Sequence, residues 1–265
     1  MQGLKKGVLS FIFLALPLIS FAYDNSPSNY VVVPECIWAA ASGGGTWYTE
    51  IQIYDRTGGS IVECYFNYGG GSWRGPLTIW TSPGAHYLYK TSNILQTLDN
   101  LDSDPFYYYG RVGAVEFITQ DDTHKIQVQA RTWHSYGYGK TLNGMTRFVD
   151  SNSAALGREM LLQGAIKSST YRFSMGCFNL TGSSVTVEFR IIGATNNLLG
   201  SFTKTFVGYD FQAFNPFAAA GLTGTYTNCF IFINPTSGSG KIMVFGASAH
   251  NTTNDPAAHV AVQYN

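Results

Sequence analysis

The segment TWYTEIQIYDRTGGSIVECYF, residues 46–66, is informative about the fold because the chain repeats its pattern at residues 170–190, as TYRFSMGCFNLTGSSVTVEFR. In both copies apolar and polar residues alternate, which is typical of β-strands that bury one face. The sequences DRTGGS and NLTGSS between the strands are rich in turn-forming residues. Each copy is therefore predicted to be a β-hairpin.

The similarity continues further along the chain. Residues 112–134, VGAVEFITQDDTHKIQVQARTWH, align with residues 227–250, TNCFIFINPTSGSGKIMVFGASAH, and this alignment places His134 on His250. This pair of segments is again predicted to form hairpins. Two short helices are predicted, in SNILQTLDNL and NPFAAAGL, and these segments also occupy matching positions.

A sheet with one apolar face must cover that face, and with so little helical periodicity the cover must be a second sheet. The sequence thus predicts an all-β protein of two tandem β-sandwich (immunoglobulin-like) domains related by internal duplication. The predicted domains are residues 30–135 and 158–265, and residues 136–157 form the linker.

These repeated features resemble tandem β-sandwich modules of secreted bacterial proteins. The shared pattern is an aromatic-x-Thr/Ser strand, an Asn/Asp plus Gly turn, an alternating strand, a short capping segment and a closing hairpin, written twice. The resemblance covers roughly residues 30–262 and implies the fold and an extracellular setting. Because most such modules have no assigned activity, it implies a binding or structural role only by analogy.

The first residues have the features of a secretory signal peptide. Lys5 and Lys6 precede an apolar run, and small residues Ser20 and Ala22 end it, so cleavage is predicted after residue 22. A membrane anchor is the alternative, but the run is short and contains Pro17. The predicted location is secreted, in the extracellular space or at the cell surface, with no membrane span after signal cleavage.

Composition excludes some function classes. Without Lys5 and Lys6 the chain keeps 14 basic and 16 acidic residues, so it has no positive patch for nucleic acid. Charged residues make up 12% and aromatic residues 15%. This balance is typical of extracellular β-proteins and not of disordered chains.

The chain has four cysteines, Cys36, Cys64, Cys177 and Cys229. An even number in an exported protein favours disulfides, and three connectivities are possible. The duplication favours pairing Cys36 with Cys64 and Cys177 with Cys229, although the resembled modules are usually poor in cysteine. Four buried free thiols are the alternative, and metal binding is less favoured because no C-x-x-C spacing occurs.

No catalytic residue, metal ligand or cofactor is predicted, so the protein is not expected to be an enzyme. The chain has no G-x-S-x-G motif. The matching positions of His134 and His250 favour a structural contact near a strand end. The acidic segments at 99–104 and 120–124 are interpreted as solvated loops, with a weak calcium site as the alternative. Four glutamates, at positions 50, 63, 116 and 188, are predicted to be exposed on strands.

Aromatic residues in loops are the remaining candidates for a functional surface. Flat rings on a rigid β scaffold can stack on sugars or pack against another copy of the protein, and ordinary internal packing is the alternative. The candidates for surface contact are Trp73, Tyr107, Tyr108, Tyr136 and Tyr138.

The sequence favours a non-catalytic secreted structural or adhesive protein that assembles with itself through strands and aromatic contacts. A carbohydrate-binding module that uses the exposed Tyr and Trp loops is the alternative. The expected partners are therefore a second copy of the chain or an extracellular glycan. Both chain ends carry strand patterns, which could complete a neighbouring sheet or pair within their own sandwich.

Overall fold

The computed structural model describes residues 26–41, 44–84, 86–141, 144–146, 152–253 and 255–264. The predicted signal peptide, residues 1–22, lies outside this range. The first half contains β1 (Tyr30–Ala40), β2 (Thr46–Asp55), β3 (Ile61–Gly69), β4 (Ser72–Trp80), β5 (Tyr87–Thr91), α1 (Ile94–Leu101), β6 (Arg111–Thr119), β7 (Ile126–His134), β8 (Gly139–Thr141) and β9 (Met145–Thr146). The second half contains β10 (Glu159–Lys167), β11 (Tyr171–Asn179), β12 (Val185–Ile192), β13 (Leu198–Phe206), β14 (Phe211–Phe214), α2 (Pro216–Ala219), β15 (Tyr226–Gly238), β16 (Ile242–His250), β17 (Pro256–Val260) and β18 (Val262–Tyr264). The predicted all-β class is confirmed.

The strands have the same order in the two halves. In the second half a five-stranded sheet, β13-β12-β15-β10-β18, accompanies a four-stranded sheet, β14-β11-β16-β17. In the first half β4-β3-β6-β1-β9 and β5-β2-β7-β8 follow the same neighbours, but the end of β1 also pairs with β2, which joins both layers into one sheet. The short strands β8 and β9 lie within the segment predicted to be the linker.

The predicted hairpins are wrong, although their strands are correctly placed. β2 pairs with β1, β5 and β7, whereas β3 pairs with β4 and β6, so the chain crosses from one layer to the other between them. The same holds for β11 with β12, β6 with β7, and β15 with β16. Ile51 and Ile53 of β2 are fully buried, in agreement with the predicted alternation of buried and exposed residues.

The crossing from β2 to β3 is built around Asp55, which is fully buried. Its carboxylate accepts hydrogen bonds from Thr57 N at 3.0 Å, Gly58 N at 2.9 Å and Thr81 Oγ1 at 2.7 Å. Asn179 occupies the matching position at the end of β11, and there Thr181 N donates to its Oδ1 at 3.2 Å. A turn whose backbone N–H groups bond to a buried side chain needs more residues than a two-residue hairpin loop. The strands on either side of this turn therefore do not pair, and they lie in different layers.

The two predicted helices are confirmed, and each is preceded by an asparagine that caps its N-terminus. Asn93 Oδ1 accepts from Gln96 N at 3.3 Å, and Asn215 Oδ1 accepts from Ala218 N at 3.1 Å. Asparagine is favoured there because it satisfies a free N–H group of the first helical turn.

Three apolar cores hold the chain together. One lies between the layers of each half. The third lies between the halves, where the outer face of β1 and β6 packs on β11, β14, β16 and β17. It contains Tyr30, Val32, Ala114, Met145, Phe178, Leu180, Phe211, Met243 and Phe245. The halves therefore pack face to face.

Candidate functional site

The predicted disulfides are absent, because all four cysteines are free and buried. Cys36 lies on β1 and Cys64 on β3, with β6 between them in the same layer. Strands separated by a third lie about 9–10 Å apart, beyond the roughly 7 Å between Cα atoms that a disulfide can span. Cys177 and Cys229 lie in facing sheets, and Cys229 Sγ donates to the carbonyl of Thr227 at 3.8 Å. Burial raises the pKa of Cys36 and Cys177, which keeps these thiols protonated.

Three of the five predicted surface aromatics are exposed. Trp73 is 49% exposed, Tyr107 81% and Tyr136 62%. Tyr138 is half-buried, and its ring stacks on His134 with centroids 4.9 Å apart.

The prediction for Tyr108 is wrong, because its side chain is completely buried. Its ring packs against Phe66 and Phe106 at centroid distances of 5.6 and 4.7 Å, and its hydroxyl donates to Asp102 Oδ2 at 2.9 Å. It belongs to the core of the first half.

Trp73 borders a cleft of about 320 Å³ at the junction of the two halves. The floor is formed by β3 and β6 of the first half, and the turn between β13 and β14 contributes a residue from the second half. The lining residues are Tyr30, Tyr65, Asn67, Trp73, Glu116, Ile118 and Tyr209. None of the other four predicted aromatics lines it.

The cleft depends on a glycine turn that docks the halves. Residues 69–71 join β3 to β4, and all three have positive φ. Gly70 N donates to Asp210 Oδ1 at 2.6 Å, which connects this turn to the second half. A Cβ at Gly71 would lie 2.8 Å from the carbonyl oxygen of Gly208, closer than side chains tolerate. Glycine therefore permits the approach that holds Tyr209 at the cleft.

The walls of the cleft are aromatic. The rings of Tyr65 and Trp73 are tilted by 59° with centroids 5.6 Å apart. Tyr209 approaches from the second half and is 36% exposed. Apolar ring faces beside a few polar groups are typical of small-molecule sites, and the volume is near the lower limit for such sites.

Glu116 lies in the cleft and was wrongly predicted to be exposed, since only 4% of it is accessible. Its Oε1 accepts from Asn67 Nδ2 at 2.8 Å, and its Oε2 accepts from the hydroxyl of Tyr30. Burial raises the pKa of Glu116 to about 7, and the hydrogen bond from Asn67 offsets only part of this rise. Near neutral pH this carboxyl group can therefore donate or accept a hydrogen bond.

The sequence did contain a signal for the burial of Glu116. In VGAVEFI both faces of the strand are apolar, with Val115 and Phe117 on one side and Ala114 and Ile118 on the side of Glu116. A strand that is apolar on both faces is covered on both faces. Nothing in the sequence places Tyr209 nearby, because its position results from the packing of the halves.

The two histidines have the predicted structural role. Gly44 O lies 3.0 Å from His134 Nε2, and Thr252 N donates to His250 Nδ1 at 3.2 Å. Trp47 packs edge-on against His134 as Tyr171 does against His250. Neither histidine lines the cleft.

Across the described residues, no three His, Cys, Asp or Glu side chains converge as a metal site. Within the same residues, no helix combines the length and apolarity needed to cross a bilayer. Comparison with protein-family models, curated proteins and solved structures found no match.

Proposed function

We propose that this protein is a secreted, non-catalytic protein that binds an extracellular carbohydrate in the cleft between its halves. The observation that carries the proposal is the group of three aromatic rings, Tyr65, Trp73 and Tyr209, around one buried carboxyl group. Sugar rings present apolar C–H faces and hydroxyl edges. The aromatic walls can stack on the C–H faces, and the side chains of Glu116 and Asn67 can hydrogen-bond to the hydroxyl groups.

A binding role is favoured over hydrolysis. Glycoside hydrolysis commonly uses two carboxyl groups that flank the scissile bond. Among the described residues lining the cleft, Glu116 is the single carboxyl group. The sequence placed the structural role first and glycan binding second, whereas the cleft favours glycan binding.

Replacing Trp73 with alanine is expected to weaken glycan binding by about 10- to 100-fold, the effect of removing a central aromatic contact. The measurement is calorimetric titration with sugars selected on a glycan array. Tyr107→Ala is the matched control, since Tyr107 is 81% exposed and lies outside the cleft. Absence of binding to any glycan, or equal affinity in both variants, contradicts the proposal.

We further propose that the halves are tandem domains related by duplication. The shared strand order and the matching Asp55 and Asn179 turns support this. The immunoglobulin-like part of the proposal rests on the adjacent pairs β2 with β5 and β3 with β6, which match strands B–E and C–F of that fold. The position of β1 beside β6 differs from that fold.

Self-association is a second candidate, favoured by the open edge of β13. Among the described strands β13 pairs only with β12, and Leu198 at its start is 60% exposed. The chain-end strands β1 and β18 pair within their own halves, so they are not the donors. We expect a concentration-dependent dimer in sedimentation experiments that Leu198→Lys weakens. A wild-type protein that stays monomeric at high concentration contradicts this candidate.

A further inference from the structure

We infer that the cleft is one end of a longer site for a neutral, linear oligosaccharide, an inference that rests on the proposed glycan binding. A second cavity has a volume of about 490 Å³ and shares one lining residue with the first. Trp73 lines both cavities. A ligand that stacks on this half-exposed indole can therefore continue from one cavity into the other.

The second cavity is a groove along the edge of a sheet. One wall is residues 73–77 of β4, which ends its layer, and the other is residues 101–104 at the end of α1. The ion pair between Arg74 Nη1 and Asp104 Oδ2, 3.5 Å long, links the walls. Leu101 is 47% exposed and provides an apolar surface. The groove therefore offers both hydrogen-bonding and apolar contacts, as the cleft does.

The size of the combined site indicates a chain and not a single sugar. Each cavity alone is large enough to count as a small-ligand pocket. A monosaccharide in the cleft would leave the groove unused, whereas a chain of several units would contact Glu116 at one end and Arg74 further along.

The charges favour a neutral chain. The groove contains two carboxylates, Asp102 and Asp104, against one cation, Arg74. Like charges brought together cost free energy, so a chain that carries carboxylate or sulfate groups is disfavoured.

An extended peptide is the other ligand that an open strand edge can bind. Peptide addition needs a regular row of backbone groups, and β4 does not provide one. Pro76 has no N–H group, Gly75 has φ 127°, and the register between β3 and β4 shifts twice. The edge is therefore better suited to a glycan than to an added strand.

The test is calorimetric titration of the full protein with homo-oligomers of glucose, mannose, N-acetylglucosamine and xylose, from one to six units. For the sugar that binds, affinity is expected to rise about 10-fold or more with chain length and then level off. An oligogalacturonate series of the same lengths is expected to bind more weakly.

Ser103→Trp fills the groove from an exposed position. It is expected to reduce the affinity for the hexamer to that for the monomer and to leave monomer binding unchanged. The control is Ala194→Trp, at an exposed position in the turn between β12 and β13. It should change neither affinity.

Equal affinity at all lengths, or a Ser103→Trp variant that binds the hexamer like wild type, overturns the inference while the proposed function stands. Preferential binding of oligogalacturonate, or of extended peptides in the groove, also overturns it. If no sugar of any length binds, the proposed function fails as well.

Discussion

Replacing Asp55 with alanine is expected to lower the free energy of unfolding by about 3–5 kcal/mol at pH 7. The substitution leaves Thr57 N, Gly58 N and the Thr81 hydroxyl without the carboxylate that accepts their hydrogen bonds inside the fold. Urea-induced unfolding followed by fluorescence measures the loss.

The loss should depend on pH. Burial alone would raise the pKa of Asp55, but hydrogen bonds from Ser60, Thr81, Gly58 and Thr57 outweigh burial and hold the pKa well below its usual range. This stabilisation is present above the ordinary carboxyl pKa of about 4 and disappears as the pH falls through the depressed value. The difference in free energy of unfolding between wild type and Asp55→Ala should therefore be largest at pH 7 and become smaller in strong acid.

Asp121 provides the matched control for Asp55. It accepts hydrogen bonds from Thr123 N and His124 N, both at 2.9 Å, but 53% of its side chain is exposed. Water can replace an exposed acceptor, so Asp121→Ala is expected to cost much less stability than Asp55→Ala. Equal losses in the two variants would contradict the role assigned to the buried turn.

Replacing Glu116 with glutamine is expected to stabilise the protein above neutral pH. Because burial raises the pKa of this carboxyl group from 4.5 to about 7, the folded state resists its ionisation. The free energy of unfolding of the wild type therefore falls as the pH rises above 4.5. The loss grows up to about pH 7 and reaches the order of 3 kcal/mol. Glutamine keeps the shape and can bond with both Asn67 and Tyr30, so the variant should lose this pH dependence.

The measurement is denaturant unfolding of both proteins at pH 4 and pH 8. The two should be similar at pH 4, and Glu116→Gln should be the more stable at pH 8. Glu188→Gln is the control, since Glu188 lies part-exposed on β12 with Arg190 Nε 3.9 Å away, a pair of small energetic value. A Glu116→Gln variant that is less stable than wild type at pH 8 would contradict the raised pKa.

Local patterns in the sequence predicted local structure well. Alternation around Ile51 and Ile53 gave the strand and its inward face, and the cap residues Asn93 and Asn215 precede the predicted helices. Strand pairing was mispredicted because the turn after Asp55 is fixed partly by Thr81, which is distant in the chain. Turn composition alone does not reveal such a partner.

The site residues were harder to predict because their burial results from contacts between distant segments. Glu116 is on the face of β6 that packs on the other half, and its hydrogen-bond partner Asn67 lies on another strand, distant in the chain. Tyr108 lies in a loop sequence, FYYYG, but turns inward to Asp102 and Phe66. Of the five aromatic candidates, Trp73 is the one that lines the cleft.

We propose above that a neutral glycan binds at the junction of the halves. The most direct test of this proposal is an NMR titration of isotope-labelled protein with the best-binding oligosaccharide, following aromatic and amide side-chain signals. We expect the largest shifts at Trp73, Tyr65, Tyr209 and Asn67, in both halves of the chain. Shifts confined to Tyr107 and Tyr136, with the cleft signals unchanged, would contradict it.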